Sequence, residues 1–316
     1  MKQKLTAHSD KDLSIVIVNH DSREFLRKCL KSIFGETAGI NFEVFVVDNN
    51  SKDDSSRMVS DSFPEVHLTQ NAENVGFAKA NNQAILNSRG RYVLLLNPDT
   101  VIGSNALVKL MQFMEDHPDA GVAGCKLLNE DGTLQYSMRN FPTITNQLAE
   151  CFFLHKFLSR ISKFGEVIYK NRSYKKIQIA DWITGAVFMI RRETLDAVGP
   201  LDEDYYLYVE ETDWCLRARN AGWKTYYYPG TEVMHVGGEC GVNPVLLRLL
   251  INSRLIFFKK HKSSFKFLLF KFITFLNLSI RATLWSLARF FIRSKRATLR
   301  YGAYSGGLRT VVRPRS

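Results

Sequence analysis

The sequence predicts an α/β fold in which helices flank a central, mostly parallel sheet. Tyr92–Leu96 (Tyr-Val-Leu-Leu-Leu) is a short apolar run with neither helical spacing nor alternation, the pattern of a strand buried on both faces. Two similar runs, residues 13–18 and 42–47, precede it. Segments of helical length separate the three. Strands and helices alternating at this spacing make βαβ units, and hence a parallel sheet.

Residues 13–18 (Leu-Ser-Ile-Val-Ile-Val) form the first strand. The loop Asn19-His20-Asp21-Ser22 follows, with Ser22 as N-cap of a helix through Phe34. Residues 42–47 form the second strand, ending in the polar run from Asp48 to Asp54. A helix with Asp53 or Asp54 in its first turn continues to Phe63, and residues 66–69 make a short third strand. Residues 71–76 form a turn, and 77–88 a helix carrying Ala78, Ala80 and Ala84. Asn97-Pro98 ends the fourth strand, because proline cannot extend a central ladder. Asp99 is thereby left in a turn at that strand's carboxyl end, before a helix over 105–117. The order β-α-β-α-β-α-β is that of a nucleotide-binding half. Ligands of open α/β sheets bind at this edge. A carboxylate there can hold a hard divalent cation against a diphosphate. An Asx-turn aspartate capping the next helix is the other reading.

Further along, residues 121–128 and 134–136 flank Asp131-Gly132, a strong hairpin signal. Residues 141–176, with seven Lys and Arg, read as a basic insertion. Strands over 177–183 and 186–190, a helix over 192–198, a helix over 211–221 ended by Gly222, and a strand over 225–228 complete the pattern. The expected organisation is a polar extension (1–12), a catalytic domain (13–242, in halves 13–100 and 101–242), and a basic helical region (243–316).

Charge divides the chain in the same place. Up to Glu239 there are 27 basic and 31 acidic residues, whereas the 77 residues beyond carry 16 Lys and Arg and no acid. Such asymmetry points to a polyanionic partner, lipid headgroups or nucleic acid. The five cysteines (Cys29, Cys125, Cys151, Cys215, Cys240) have neither disulfide nor zinc spacing, so reduced thiols are expected. No secretory leader is expected from the polar N-terminus. No uncharged apolar stretch of about 18 residues is present.

Three clusters carry chemistry. Asp48-Asn49-Asn50-Ser51 sets a carboxylate at the end of strand two, able to bind a pyrimidine imide or ribose hydroxyls, or simply to form an Asx-rich turn. Neither the dinucleotide fingerprint nor the P-loop is present. Asn74-Val75-Gly76-Phe77 leads a helix whose Lys79, Asn81 and Asn82 could face a nucleotide-sugar or solvent. Glu210, Glu211 and Asp213 crowd three carboxylates at a helix start among Tyr205, Tyr206, Tyr208 and Trp214. They either complement the helix dipole or, with pKa values raised in an apolar cleft, supply a general base. His235 reads as a metal ligand or a structural histidine.

Taken together and in order, Ser14-Ile-Val-Ile-Val-Asn19, Val47-Asp-Asn-Asn-Ser51, Asn74-Val-Gly-Phe77, Leu96-Asn-Pro-Asp99, Trp182-Ile-Thr-Gly-Ala186 and Glu210-Glu-Thr-Asp213 carry a resemblance. From Leu13 to about His261 the chain resembles the family 2 glycosyltransferases of Rossmann-like GT-A fold. The nearest likeness is to the rhamnosyltransferase-like branch that builds bacterial surface polysaccharides. The resemblance implies that Asp48 reads the base while Asn19, Asn50 and Asn81 line the nucleotide site, with Ser51, Asn74 and Gly76 in the same donor set. It puts Asn97 and Asp99 at the family's Asp-x-Asp position, Asp99 carrying Mg²⁺ or Mn²⁺ with His235 nearby. Trp182 and Gly185 shape the acceptor side. Glu211 matches the base, and Glu210 and Asp213 complete the acidic set. Two departures are visible: Asn97 replaces the first aspartate, and Glu-Glu replaces Glu-Asp. The implied reaction is inverting transfer from a nucleotide-sugar, dTDP-rhamnose before UDP-hexose, to a polyprenyl-diphosphate-linked glycan.

In the tail, Lys271, Thr274, Arg281 and Arg289 fall on one helical face, and Phe272, Leu276, Ile280, Leu287 and Phe291 on the other. A basic amphipathic helix of this kind lies in a membrane interface. Lys259, Lys260, Lys262, Arg293, Lys295 and Arg296 beside it suit anionic lipid. The expectation is a peripheral protein on the cytoplasmic face of the membrane, without nucleic acid, its oligomeric state open. A sugar-nucleotide nucleotidyltransferase would need a Gly-rich basic loop after strand one, which is missing. A non-catalytic nucleic-acid binder is disfavoured by the acidic first half.

Overall fold

A computed structural model describes residues 11–154, 173–237, 243–292 and 294–313. Most of the residue 1–12 extension, the centre of the basic insertion, Cys240 and Arg293 lie outside these residues. Two compact units emerge. The first comprises the described residues up to Arg139, then 173–203 and 210–237. The second comprises 140–154, 204–209 and the described residues from 243 onward. Residues 140–154 and 204–209, expected with the sheet, thus group with the C-terminal helices.

The first unit is built on a ten-stranded sheet. Strands β1 (Leu13–Asn19), β2 (Phe42–Asp48), β3 (His67–Gln70) and β4 (Tyr92–Leu96) run parallel in the order β3-β2-β1-β4. Helices α1 (Arg23–Glu36), α2 (Ser55–Ser62) and α3 (Phe77–Ile85) connect them, close to the expected bounds. All seven residues of β1 are buried. Leu13, Ile15 and Ile17 join Leu26, Cys29, Leu30 and Ile33 of α1 in one core. At about 1.5–3 kcal/mol per buried aliphatic side chain, this strand and helix form a large share of the hydrophobic driving force. Gly90 enters β4 where a Cβ would strike the backbone of Ser14 and Leu13, so the close approach admits only glycine.

The parallel pattern ends at β4. Strand β5 (Thr100–Ile102), helix α4 (Ala106–Asp116), and strands β6 (Ala120–Leu128), β7 (Leu134–Gln135) and β8 (Met138–Arg139) follow. After helix α5 (Ile144–Cys151), in the second unit, come β9 (Gln178–Ala180), β10 (Trp182–Ile183) and β11 (Val187–Arg191). Strand β11 runs antiparallel between β4 and β6, making the second half of the sheet mixed. The Asp131-Gly132 hairpin forms as expected, joining β6 and β7. Because β5 intervenes before α4, whose N-cap is Asn105, Asp99 is not that helix's cap.

Helices α6 (Arg192–Val198) and α7 (Glu210–Asn220) lead to β12 (Lys224–His235). The last strand was expected over 225–228 only. It continues through an irregularity after Tyr228, pairs with β6, and then runs antiparallel to β5 with His235 opposite Thr100. The continuation is tertiary: Pro229-Gly230 reads as a stop, but the edges of β6 and β5 supply partners beyond it.

The second unit is helical: α5, α8 (Pro244–His261), α9 (Ser264–Ile292) and α10 (Lys295–Val312). Asn243 caps α8, its Oδ1 accepting from the amides of Val245 and Leu246. Helix α9 keeps only part of the two faces read from sequence: Arg289 is exposed, and the inward face is mixed, with Phe270, Ile273, Leu278 and Ala282 buried alongside polar residues. Thr274 and Asn277 are buried, and Arg281 donates to Asn277 Oδ1 (2.6 Å) and the Glu150 carbonyl (3.3 Å). Phe265, Leu268, Phe272, Phe275, Leu287 and Phe291 are exposed. By length and composition, residues Ser264–Phe291 could cross a membrane.

One ion pair anchors α7. Arg217 Nε donates to Asp213 Oδ2 at 2.7 Å, and its terminal nitrogens reach the carbonyls of Val198 and Pro200. Asp213 is 1% exposed. Removing Arg217 takes the cation away from a buried carboxylate, so Arg217→Leu is expected to lower unfolding free energy by about 3–5 kcal/mol in urea titration.

Candidate active site

At the carboxyl ends of β1 and β2, Asn19 and Asp48 are register neighbours. Asn19 Nδ2 donates to Asp48 Oδ1 (3.1 Å) and to Ser51 Oγ (3.0 Å), and Ser51 Oγ and N donate to the two oxygens of Asp48. Asp48, Asn50 and Ser51 line an open cleft of about 310 Å³ with Lys52, Arg57, Gln70 and Asn71. Asn50 holds a left-handed backbone (φ 67°) that turns the chain here, and its Oδ1 accepts from Lys52 Nζ.

Other members of the expected donor set are engaged elsewhere. Asn74 Oδ1 accepts from Asn49 Nδ2 (2.8 Å) and the Gly76 amide (3.0 Å), while Gly76 takes φ 89° ahead of α3. Both therefore shape the loop. Asn81 is a correction: it is 1% exposed and donates to the Phe77 carbonyl of its own helix. Positions 78, 81, 82 and 85 share the face of α3 that is buried, so helical periodicity turns Asn81 inward. Asn82 is buried too and clamps residue 201 through the backbone amide and carbonyl of Leu201. Asn49, passed over in the sequence, joins Asn71, Asn74, Val75 and Gly76 by side-chain hydrogen bonds.

Beyond β4, Asp99 and His235 come together across the β5–β12 pairing, with His235 Nε2 3.4 Å from Asp99 Oδ1. Asn97 Nδ2 is 3.2 Å from the same imidazole nitrogen. Burial pushes the Asp99 carboxyl up, but His235 beside it and the Gly237 amide outweigh this and hold it below the usual range. A carboxylate and an imidazole suit a divalent cation. Among the described residues no group of three His, Cys, Asp or Glu converges to complete a shell. The pair therefore fits a cation that takes its remaining ligands from a diphosphate and water, as Mg²⁺ and Mn²⁺ do in phosphate sites.

On the other side, the Ala186 carbonyl accepts from the Asn97 amide (3.1 Å), and the next residue back, Gly185, donates its amide to Glu211 Oε1 (3.3 Å). The Asp99 turn and the Glu211 carboxyl thus flank one strand end. Glu210 and Glu211 differ in what they can reach. Glu210 is 3% exposed, and burial with the neighbouring Glu211 charge holds its pKa well above the ordinary value. Glu211 keeps partial exposure; burial raises its pKa, opposed by the Gly185 amide and the charge of Arg139. Each has a buried Oε2 without a hydrogen-bond partner among the described residues. Asp213, placed with them by sequence, is corrected to the ion pair with Arg217. Trp182 is partly exposed on β10, opposite Arg139 of β8. Tyr208 and Val209 both take positive φ just before α7, strain of about 1–3 kcal/mol each that recurs beside functional sites.

One edge of this Rossmann-like sheet thus carries the Asp48–Ser51 cleft, the Asp99–His235 pair and the Glu211 carboxyl. The sequence model of glycosyl transferase family 2 matches residues 14–199. The chain belongs to this family and is a glycosyltransferase. It is similar to the N-acetylglucosaminyl-diphospho-decaprenol L-rhamnosyltransferase of Mycobacterium tuberculosis, at 26% identity over 71% of this chain and 75% of that one. It is likewise similar to the dTDP-rhamnosyl transferase RfbF of Shigella flexneri, at 26% identity over 82% and 81%. It spans only 24% of a longer uncharacterized relative from Sinorhizobium fredii, at 28% identity. Among solved structures, a mannosyltransferase of Pyrobaculum calidifontis, in complex with GDP-Man and Mn²⁺, superposes with TM-score 0.58 over 99% of this chain and 92% of that one. At 15% identity this likeness establishes the GT-A fold.

A Cβ at Gly237 would collide with Asp99 Oδ2 and approach His235 Nε2 to 3.2 Å. The carboxylate, being the end of a flexible side chain, would yield. Gly237→Ala is therefore expected to leave the melting temperature nearly unchanged while reducing sugar transfer by about 100-fold, the scale of losses when reacting groups are misplaced.

Proposed function

We propose that this enzyme transfers a sugar with inversion, rhamnose from dTDP-rhamnose, to a polyprenyl-diphosphate-linked glycan in surface polysaccharide synthesis. UDP-hexose donors are the alternative. The observation that carries this reading is the tie from Glu211 through Gly185 and Ala186 to Asn97, which sets a base beside the Asp99 turn. Rhamnosyl transfer by the Mycobacterium and Shigella relatives supports the donor sugar, and the decaprenol-linked acceptor of the Mycobacterium enzyme supports the lipid carrier.

In this mechanism Asp48, Asn50 and Ser51 bind the nucleoside in their cleft. Glu211 takes the proton from the acceptor hydroxyl as its oxygen attacks the anomeric carbon, and the nucleoside diphosphate leaves from the opposite face. Asp99 and His235 are the residues that would hold Mg²⁺ or Mn²⁺, which supplies Lewis-acid stabilisation to the departing diphosphate. Burial and the neighbouring Glu211 charge raise the Glu210 pKa well above its ordinary value, so Glu211 is assigned as the one of the pair that ionises for catalysis.

The second unit supports attachment to an anionic membrane surface on the cytoplasmic side. Its exposed Phe and Leu stripe on α9 is flanked in the sequence by Lys259, Lys260 and Lys262 on one side and by Arg293, Lys295 and Arg296 on the other. Arg281 is turned inward and adds no charge to that stripe.

Transfer assays with dTDP-rhamnose, UDP-glucose and UDP-galactose test the reaction. Glu211→Gln is expected to lose about 10²–10⁴-fold in kcat while Glu210→Gln stays within about tenfold. Because the base works ionised and its pKa is raised, kcat/KM should fall as pH drops through a value above the ordinary glutamate pKa of about 4.3. Wild-type rates in Glu211→Gln would reject the assignment. For the membrane, co-sedimentation with vesicles rich in anionic phospholipid is expected. Phe265→Asp with Phe272→Asp should abolish it, and retained binding by that variant would place the contact elsewhere.

A further inference from the structure

We propose that Gln135 is a positioning residue that fixes the tautomer of His235 and thereby aims the Nε2 lone pair at the cation position beside Asp99. The inference rests on the proposed role of Asp99 and His235, and it comes from hydrogen-bond bookkeeping around one amide. Gln135 Nε2 lies 2.9 Å from Asn129 Oδ1, 3.3 Å from the His235 carbonyl and 3.4 Å from the Gly237 carbonyl. Backbone carbonyls only accept, so the end of the amide facing them is the NH₂ group. Its oxygen is then the atom 2.6 Å from His235 Nδ1. An amide oxygen cannot donate, so Nδ1 carries the hydrogen. A neutral imidazole has only one, which leaves Nε2 with the lone pair.

On the other side of the ring two groups face Nε2. Asn97 presents its Nδ2, a donor, at 3.2 Å, as a lone pair requires, and Asp99 Oδ1, an acceptor, lies 3.4 Å away, an approach that a cation held between the lone pair and the carboxylate would make favourable. The seat of Gln135 is held from outside the site. Asn129 Nδ2 donates to Thr133 Oγ1 (2.8 Å), the Asn129 amide to the Thr133 carbonyl, and the Gly132 amide to the Asn129 carbonyl. The Asp131-Gly132 hairpin thus supports β7, and β7 presents Gln135 to the end of β12. A histidine ligand whose far nitrogen is engaged in this way is pre-oriented for its metal, and loss of such a partner typically costs affinity.

The full-length chain provides the test through two readouts. Long-range proton–nitrogen spectra of the histidine rings, with His235 assigned by its absence from His235→Ala, report the tautomer of the neutral ring. The Nδ1–H form is expected in the wild type and a mixture in Gln135→Met. An Nε2–H ring in the wild type would overturn the proposal even if the variant failed to fold. Mn²⁺ titration followed by electron paramagnetic resonance, with dTDP in excess, then reads the consequence. Gln135→Met should bind about 10–100-fold more weakly than wild type. Equal binding by Gln135→Met and wild type, with binding lost in His235→Ala, would sink the role of Gln135. Undiminished binding in His235→Ala would instead remove the metal reading, leaving the ring spectra to decide whether Gln135 sets the tautomer.

Discussion

The pairing of β4 with β11 is the constraint on which the site depends. The parallel strands β1 to β4 deliver Asn19, Asp48 and the Asn97–Asp99 turn to one edge. Only the antiparallel insertion of β11 brings Gly185 and Ala186 to the same edge, through the Val187–Leu96 register and the bond from the Asn97 amide to the Ala186 carbonyl. Glu211 follows, because its carboxyl accepts from the Gly185 amide. A backbone ladder fixes positions far more rigidly than long side chains do, which is what a reaction requiring in-line geometry needs.

The acidic groups of the sheet unit show how environment assigns roles to like side chains. Asp99, beside His235 and the Gly237 amide, is held ionised. Asp213 is consumed by Arg217 and braces α7. Glu210 is buried without a cationic partner near it strong enough to offset desolvation, and Glu211, one residue on, reaches the edge of the sheet. Burying a charge is costly unless it is paired, so two adjacent glutamates on one helix turn do not share one fate.

The helical unit has an apolar core that includes Leu255, Phe257, Phe258 and Phe270, and a polar cluster is set into it. Gln147, Thr274, Asn277, Arg281 and Glu150 are hydrogen-bonded in that cluster, while Phe265, Phe272 and Phe291 stand outside. Arg281 also stacks over Phe153 and Tyr304, at 4.7 and 5.8 Å. An exposed apolar stripe of this length is favoured when the surroundings are less polar than water. The pattern of residues on α9 is a matter of helical period, but which face turns inward depends on what the neighbouring helices offer.

The sequence by itself determined the elements whose signal is local. Buried runs, Asp131-Gly132 and the Asn97-Pro98 stop marked strands, hairpin and turn, and the ordered motifs pointed to the family, because short-range sterics and hydrophobic period write these directly into the chain. It did not determine that β12 runs on past Pro229-Gly230, which took partner edges from β5 and β6 to decide. That extension is what sets His235 against Asp99, two residues 136 positions apart with no spacing rule between them. Gln135 and Asn49 were silent for the same reason: an amide has no sequence signature, and its meaning lies in which donors and acceptors surround it. The separation of Glu211 from Glu210 and Asp213, and the inward turn of Asn81, likewise belong to the tertiary structure. Burial and pairing, not residue type, decide whether a polar group is available to a ligand.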